Sequence, residues 1–243
     1  MSEPMPEAER TWVPLAPGER RVLGVLVEKA KTTPEYYPLT ISALVAGCNQ
    51  KSNRDPITNY DADDAEEILQ TLRQKGAVVR IEGSGRVVRW KHTLYDWLGM
   101  KNHPVEMAVI TELLLRGPQT EGDLRARASR MEPIADLPAL QTVLEGLAAR
   151  GMVVQLSPPG QKRGVIVTHG LYPPEELERV RQEFARSGYV EPDEVPTRVA
   201  KTEAAPSGLS AEVAGLRAEL SAMKERVDAL AAELQALKTA LGV

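Results

Sequence analysis

Apolar residues recur along the last part of the chain at alternating steps of four and three. The series is unbroken and consists of Leu209, Val213, Leu216, Leu220, Met223, Val227, Leu230, Leu234, Leu237 and Leu241. A seven-residue apolar repeat predicts an α-helix that buries one seam against another helix. We therefore predict a coiled coil over residues 209–243. The alternative is a single amphipathic helix that folds back on its own domain.

Charged residues beside this seam indicate the direction of pairing. Val213 is taken as heptad position a and Leu216 as position d. The g–e pairs of a parallel arrangement are then Glu212 with Arg217, Glu219 with Lys224, and Glu233 with Lys238. Each exposed pair contributes only about 0.3–0.5 kcal/mol, but an antiparallel arrangement would place like charges together. We predict a parallel homodimer, and a trimer remains open.

Two earlier stretches of the chain repeat one pattern. Residues 61–79 and 136–154 each begin with an aspartate at a predicted helix N-cap and continue with apolar residues at helical spacing. Both helices end in a basic residue followed by glycine, which is a helix stop signal. Two β-branched runs around a turn follow, and both copies close in the motif His-x-Leu-Tyr, which begins at His92 and at His169. The pattern predicts an internal repeat.

Upstream of each copy, the sequence predicts a longer apolar helix and then a short helix capped by Thr40 or Thr120. The order in each copy is helix, short strand, helix, helix, hairpin, which is typical of a winged helix. We predict a mainly α fold with small β wings (α+β), in which tandem winged-helix domains precede the coiled coil. The expected boundaries are a disordered tail 1–14, a first domain 15–98, a second domain with a trailing helix 99–187, and a flexible linker 188–208.

Two runs of residues in the first copy carry a family resemblance. They are RVLGVLVEKAKTTPEYYPLT at residues 21–40 and AGCNQKSNRDP at residues 46–56. Both resemble the YceH family, which comprises uncharacterised bacterial proteins with paired winged-helix domains. The resemblance covers roughly residues 15–172 and implies the paired fold. It implies no activity and no catalytic residues, and it does not extend to the linker or the coiled coil.

Composition limits the classes of function. The chain has 243 residues, a net charge of −4 and 4% aromatic residues, so no global basic field points to nucleic acid or membrane. Cys48 is the only cysteine, which excludes an intrachain disulfide and a cysteine-based metal site. The first ten residues lack the apolar core of a signal peptide, and no run approaches the ~20 apolar residues of a membrane span. We expect a cytoplasmic protein without a membrane segment.

Residues that carry chemistry are sparse. His92, His103 and His169 lie far apart, and no cluster of His, Cys or Asp has metal-ligand spacing. No glycine-rich phosphate loop follows a predicted strand. Cys48 is expected to pack as a small apolar residue at a helix end. We predict a non-enzymatic protein with no metal and no cofactor.

A DNA-binding interpretation rests on the fold and on scattered basic residues. The third helix of the first copy begins with Asp63, Asp64 and Glu67, which repel phosphate, whereas DNA affinity depends mainly on Lys and Arg. These carboxylates also suit a helix N-terminus. The second copy is closer to neutral, and both wings carry cations. The candidate DNA contacts are Arg125, Arg127, Arg130, Gln141, Thr142, Lys162, Arg163, Arg86, Arg89 and Lys91.

Residues 49–55 form seven consecutive polar positions where a helix-turn-helix normally turns in three or four. Lys51, Ser52, Asn53 and Arg54 are candidates for holding a phosphate or a partner carboxylate. The alternative is a loop tied by its own side chains.

Two functions therefore follow from the sequence. The first is a dimeric DNA-binding regulator, whose partners are a second copy of the chain and duplex DNA. The alternative is a scaffold that binds another protein through winged-helix surfaces. The fold and the basic residues favour the first slightly, while the acidic third helix favours the second.

Overall fold

The computed structural model describes residues 12–82, 87–158, 160–161 and 163–186. The helices in this part of the chain are α1 (Pro17–Thr32), α2 (Ile41–Cys48), α3 (Ala62–Gln74), α4 (Leu94–Trp97), α5 (Pro104–Arg116), α6 (Glu121–Ala128), α7 (Leu137–Ala149) and α8 (Pro174–Arg186). The strands are β1 (Val78–Glu82), β2 (Val88–His92), β3 (Gln119–Thr120), β4 (Val153–Gln155) and β5 (Ile166–His169). The predicted linker and coiled coil lie outside the described residues, as does most of the predicted N-terminal tail.

Each repeat has the order of elements that the sequence predicts. The first contains α1, α2, α3 and the hairpin β1–β2, and the second contains α5, α6, α7 and the hairpin β4–β5. The trailing helix is also present, as α8. Two elements were not predicted, namely α4 and a 3₁₀ turn at Pro34–Tyr36. Both are too short to produce an apolar periodicity, which is the main sequence signal for a helix.

The four predicted N-caps are confirmed. A threonine hydroxyl caps α2 and α6, and an aspartate carboxylate caps α3 and α7. In each case the side-chain oxygen accepts a hydrogen bond of 2.8–3.3 Å from the backbone N–H three residues later. The capping residues are Thr40, Thr120, Asp61 and Asp136. At α3, Asp64 also accepts a bond from the Asp61 N–H at 3.0 Å, so the two residues form a capping box.

Small antiparallel sheets follow the third helix of each repeat. In the first repeat β1 pairs with β2, and Leu39 forms an isolated bridge to Trp90 on the other side of β2. In the second repeat β5 lies between β3 and β4, so Gln119 pairs with Val167 in the place where Leu39 pairs with Trp90. The short strand predicted before the second helix is therefore a true strand in one repeat and a single bridge in the other.

The two repeats share one apolar core. Helix α1 packs against α5, and buried side chains from both repeats form one continuous cluster. A Cβ atom at Gly24 on α1 would lie 2.8 Å from Leu115 Cγ on α5, so glycine permits the close approach of these helices. The predicted boundary between residues 98 and 99 stays a prediction, because the first helices of both repeats contribute to the same interior.

Arg20 links helix α8 to helix α1. Arg20 on α1 forms a two-pronged ion pair with Glu176 on α8, in which the Nη2–Oε1 distance is 2.5 Å and the Nη1–Oε2 distance is 2.9 Å. The same guanidinium lies 4.5 Å from the centre of the Tyr172 ring, at cation–π distance. Among the helices of the described ranges, none has the length and apolar character needed to cross a bilayer.

Candidate interaction surfaces

The third helices of the two repeats expose carboxylates and little positive charge. Helix α3 exposes Asp63, Glu66 and Glu67, and its one cation, Arg73, lies in the last turn. Helix α7 contains no Lys or Arg and exposes Glu145. These surfaces repel a phosphate backbone, because affinity for DNA comes mainly from cationic side chains.

The three arginines predicted to contact DNA near α6 bind groups of their own chain. Arg125 donates from Nη1 to a main-chain carbonyl in the following loop at 3.3 Å. Arg127 donates from Nη1 to Gln119 Oε1 at 2.7 Å. Arg130 places Nη2 3.6 Å from the buried carboxylate of Glu112. Each of these side chains is thus partly committed to internal contacts.

The polar residues predicted to contact base edges are also engaged. Gln141 donates from Nε2 to Glu121 Oε2 at 2.9 Å, which links α7 to α6. The Thr142 hydroxyl donates to the Pro138 carbonyl at 3.2 Å within α7. Contact of Gln141 and Thr142 with DNA stays a prediction, and it would require these internal hydrogen bonds to be replaced by hydrogen bonds to the bases.

The first hairpin presents a different surface. The register pairs Val79 with Lys91 and Ile81 with Arg89, so these four side chains share the outer face of the hairpin. Val79 and Ile81 are 39% and 36% exposed. Arg89 donates from Nη1 to the Pro38 carbonyl at 2.8 Å, and Lys91 is exposed.

Three further residues complete the predicted basic wings. Arg163 is exposed in the second hairpin. Arg86 and Lys162 lie outside the described residues. Within the described ranges, Lys91 and Arg163 are the exposed members of the predicted set of wing cations.

The polar loop after α2 is held by Arg54. All five N–H donors of this guanidinium are accepted within the chain. Two go to the Glu28 carboxylate, at 2.6 and 3.2 Å, and the others go to Gly47 O, Asn53 O and Gln50 Oε1. These contacts favour the interpretation of a loop tied by its own side chains. Phosphate or partner binding stays a prediction that now depends on the exposed Lys51 and Ser52.

Asn53 in this loop links the two repeats. Its backbone adopts a left-handed conformation with φ 57°, which asparagine tolerates better than most residues. Its Nδ2 lies 3.3 Å from Glu28 Oε1 on α1 and 3.4 Å from Glu112 Oε2 on α5. Glu112 is fully buried, and burial raises the pKa of its carboxyl. Its other oxygen, Oε1, has no hydrogen-bond partner among the described residues.

The repeated His-x-Leu-Tyr motif makes the same backbone hydrogen bond in both copies, whereas its two rings are stacked in the second copy and tilted in the first. His92 Nδ1 accepts from the Leu94 N–H at 3.3 Å, and His169 Nδ1 accepts from the Leu171 N–H at 3.2 Å. Each imidazole also contacts the tyrosine of its motif. Burial lowers the pKa of His92 to about 4 and lowers that of His169 as well. Both histidines close the end of a hairpin strand in neutral form.

Cys48 ends α2 and is completely buried, as the sequence predicts. Burial raises the pKa of its thiol to about 12, so the thiol is protonated at neutral pH. Arg21 on α1 donates hydrogen bonds to the backbone carbonyls of Cys48 and Pro56, at 3.2 and 2.5 Å. This arginine therefore ties the polar loop to α1. In the described part of the chain, no three His, Cys, Asp or Glu side chains are grouped to hold a metal ion.

Two hollows are open at the surface. One has a volume of about 280 Å³ and lies beside Arg20, Arg21 and Arg116, close to α8. The other has a volume of about 440 Å³ and lies between α7 and the second sheet, with Glu121 and Glu145 among its lining residues. The sequence analysis predicted neither hollow. For the hollow between α7 and the second sheet, the one signal in the sequence is that the repeat aligns the small Val167 with the large Trp90. The alignment alone does not show that a cleft results.

Comparison with known proteins identifies the family. Residues 15–161 match the model described as "Protein of unknown function, DUF480". The chain belongs to the DUF480 family. This DUF480 chain is 49% identical over 178 residues to a UPF0502 protein of Rhodopirellula baltica, an alignment that covers 72% of this chain and 73% of the relative.

Further relatives match a shorter part of the DUF480 chain. A UPF0502 protein of Geotalea daltonii is 50% identical over 147 residues, which are 59% of this chain and 66% of the relative. One of Solibacter usitatus is 44% identical over 138 residues, which are 57% of this chain and 66% of the relative. The matches confirm the resemblance to an uncharacterised bacterial family. The YceH name and the coiled coil stay predictions.

Proposed function

We propose that this DUF480 chain is a non-enzymatic tandem winged-helix protein that docks partner proteins on its helical surfaces. Each repeat has three helices followed by an antiparallel hairpin, in winged-helix order. In that arrangement α3 and α7 take the place of the helix that enters the major groove. The observation that carries the proposal is the acidic surface of α3, formed by Asp63, Glu66 and Glu67.

This acidic surface favours a protein partner over DNA on electrostatic grounds. A helix in the major groove lies between two rows of phosphates, and a carboxylate there is repelled on both sides. A basic protein surface is attracted to the same carboxylates, which increases the rate of encounter and selects the partner. The first hairpin adds exposed apolar area at Val79 and Ile81, a type of surface that marks interaction sites when it is contiguous.

Charge reversal on α3 tests the proposal. The full chain and the variant Asp63→Lys with Glu67→Lys are compared by quantitative affinity capture from a lysate of the source organism. Asp61 and Asp64 stay unchanged, since they cap the helix. A matched control is Glu178→Lys with Glu183→Lys on the exposed side of α8. We expect the α3 variant to lose proteins that the control retains. Identical captured sets for all three chains would contradict the proposal.

A DNA-binding regulator remains the second candidate, and the hairpins support it. Arg89 and Lys91 lie on one outer face, and Arg163 is exposed in the second hairpin. The test is a titration of duplex DNA with the full chain at about 50 and 200 mM salt. A regulator predicts affinity that falls steeply with salt and that weakens in Lys91→Ala with Arg163→Ala. The absence of binding at low salt would count against it.

The proposal includes a parallel homodimer formed by residues 209–243, which rests on the unbroken heptads in the sequence. Pairing would tether two copies of the repeats and raise their effective concentration at a shared target. Sedimentation of the full chain is compared with Leu220→Lys plus Leu234→Lys, and with the control Ser221→Lys plus Gln235→Lys. We expect only the leucine variant to become a monomer. A monomeric parent chain at tens of micromolar would exclude the dimer.

A further inference from the structure

The cleft of about 440 Å³ in the second repeat lies between α7 and the sheet β3–β5–β4. Its apolar wall consists of Leu144, Ala148, Val153, Val165 and Val167. The volume falls within the range of roughly 300–1,000 Å³ that is common for binding sites. The cleft therefore has room for a bulky group, and the first repeat provides an internal comparison for the nature of that group.

Val167 occupies the position that Trp90 has in the first repeat. Each residue pairs with the other hairpin strand on one side and with the segment before the second helix on the other, through a single bridge for Trp90 and through β3 for Val167. Trp90 is 1% exposed, and its indole is part of the apolar interior of the first repeat. In the second repeat the smaller Val167 lines the open cleft. The chain thus contains an example of an indole filling this position.

Two carboxylates at the cleft are peculiar to the second repeat. Glu121 begins α6, whereas the uncharged Ile41 begins α2. Glu145 lies on α7 at the position where Gln70 lies on α3. Both glutamates line the cleft, and none of its described lining residues is Lys or Arg. The open cleft therefore combines an apolar wall with negative charge.

A purely structural role explains only one of these glutamates. Glu121 lies in the first turn of α6, where the helix dipole favours a carboxylate, and it accepts the bond from Gln141. Glu145 lies in the middle of α7, and it has neither a hydrogen bond nor an ion pair with any residue in the described ranges. Its charge remains open to a ligand at the cleft.

We propose that this cleft binds an aromatic side chain with an adjacent positive charge, presented by a partner protein. The ring enters the space that corresponds to the Trp90 indole, where its large apolar area is removed from water. The neighbouring ammonium or guanidinium pairs with Glu145 and Glu121, which fixes the orientation of the ring. This inference rests on the proposed protein-docking function and assigns the chemistry of one docking surface.

Tryptamine is a suitable probe, because it joins an indole to an ammonium group. Indole-3-acetate carries the same ring with a carboxylate and serves as the matched comparison. Each is titrated into the full chain, and amide chemical shifts are followed by NMR. We expect tryptamine to bind at least about tenfold more tightly, with shifts centred on α7 and β5. Equal affinities, shifts elsewhere, or no shifts at about 10 mM would overturn the inference.

Substitutions on α7 locate the site. Ala148 is exposed and lines the cleft, so Ala148→Trp places an indole in it without altering the core. Ala149→Trp, one residue later and also exposed, is the control. We expect only the former to abolish tryptamine binding. Glu145→Gln should weaken tryptamine binding and leave indole-3-acetate unaffected or better bound. Unchanged tryptamine binding by Ala148→Trp would refute the proposed site.

The two proposals fail separately. The tryptamine measurements do not involve α3, and the partner-capture comparison does not involve the cleft. A chain that fails to bind tryptamine but loses partners on charge reversal of α3 overturns only the cleft inference. A chain that binds tryptamine in the cleft but captures identical proteins after charge reversal overturns the role of α3.

Discussion

Arg54 and Glu28 form a buried ion pair in which both nitrogens of the guanidinium fork meet both carboxylate oxygens, at 2.6 and 3.2 Å. The Arg54 side chain has no exposed area. Glu28 lies on α1 and Arg54 in the loop that follows α2, so the pair anchors this loop to the first helix. Paired, hydrogen-bonded burial is the condition under which a protein tolerates two such charges.

Arg54→Ala should therefore destabilise the fold severely. Removing the cation breaks the buried pair and leaves the Glu28 carboxylate with the weaker contacts of Asn53 Nδ2 at 3.3 Å and Lys29 Nζ at 3.9 Å. Breaking a buried pair in this way costs about 3–5 kcal/mol. Chemical denaturation of the full chain measures the free energy of unfolding. Lys51→Ala in the same loop is the control, and as an exposed substitution it should change stability by no more than about 0.5 kcal/mol. Equal stability of Arg54→Ala and the parent would show that the ion pair does not hold the loop.

The two motif histidines should make the fold sensitive to acid. Burial lowers the pKa of His92 from 6.5 to about 4, so the unfolded chain binds a proton at a higher pH than the folded chain does. The stability that depends on a neutral His92 is fully present above pH 6.5 and is lost as the pH falls towards 4. At about 1.36 kcal/mol per pKa unit, the loss from His92 alone approaches about 3 kcal/mol.

His92→Asn should remove much of this acid loss, because the amide oxygen keeps an acceptor for the Leu94 N–H without titrating. Urea denaturation at pH 7 and near pH 4.5 provides the measurement. His103→Asn is the control, since that side chain is exposed at the start of α5. If His92→Asn lost as much stability on acidification as the parent chain, burial of the neutral imidazole would not be the cause.

Glu112 should make the free energy of unfolding change with pH in the direction opposite to that expected for His92. Burial raises the pKa of its carboxyl above the ordinary value of 4.5, although Asn53 and Arg130 oppose this shift. The folded chain therefore binds a proton more readily than the unfolded chain, and the parent gains stability relative to Glu112→Gln as the pH falls through the raised pKa. We expect Glu112→Gln to be at least as stable as the parent at pH 7, with its advantage shrinking towards pH 4.5. A large loss at pH 7 would mean that the contacts with Asn53 and Arg130 outweigh the cost of burial.

The carboxylates at the start of α3 have separable roles. Asp61→Ala removes the N-cap bond to the Asp64 N–H and should cost about 1 kcal/mol. Asp63→Ala removes an exposed carboxylate that makes no cap and should cost less than about 0.5 kcal/mol. Thermal unfolding of the two variants makes the comparison. Equal losses would indicate that the dipole of α3, and not a specific cap, determines the effect of these aspartates.

Local patterns in the sequence were sufficient to predict most of the helices and both hairpins. Asp61 and Asp136 mark helix starts because a cap depends on residues three apart, and the apolar spacing after them gives the buried face of each helix. The repeated His-x-Leu-Tyr motif also reports a local bond, between residues two apart. Such interactions are visible in a single stretch of chain. Helix α4 was not predicted because four residues are too few to show the apolar periodicity of a helix.

The sequence by itself determined the longer helices, four of their N-caps, the two hairpins and the internal repeat. Only the tertiary structure decided which charges are available to a ligand. Arg54 meets Glu28 across 26 residues and Arg20 meets Glu176 across 156, and no local pattern encodes either pair. Likewise, an alignment of the repeats places Val167 opposite Trp90, but only packing determines that the smaller side chain leaves a cleft. Burial and pairing depend on which distant groups the folded chain brings together, and the free energy of a charge depends on both.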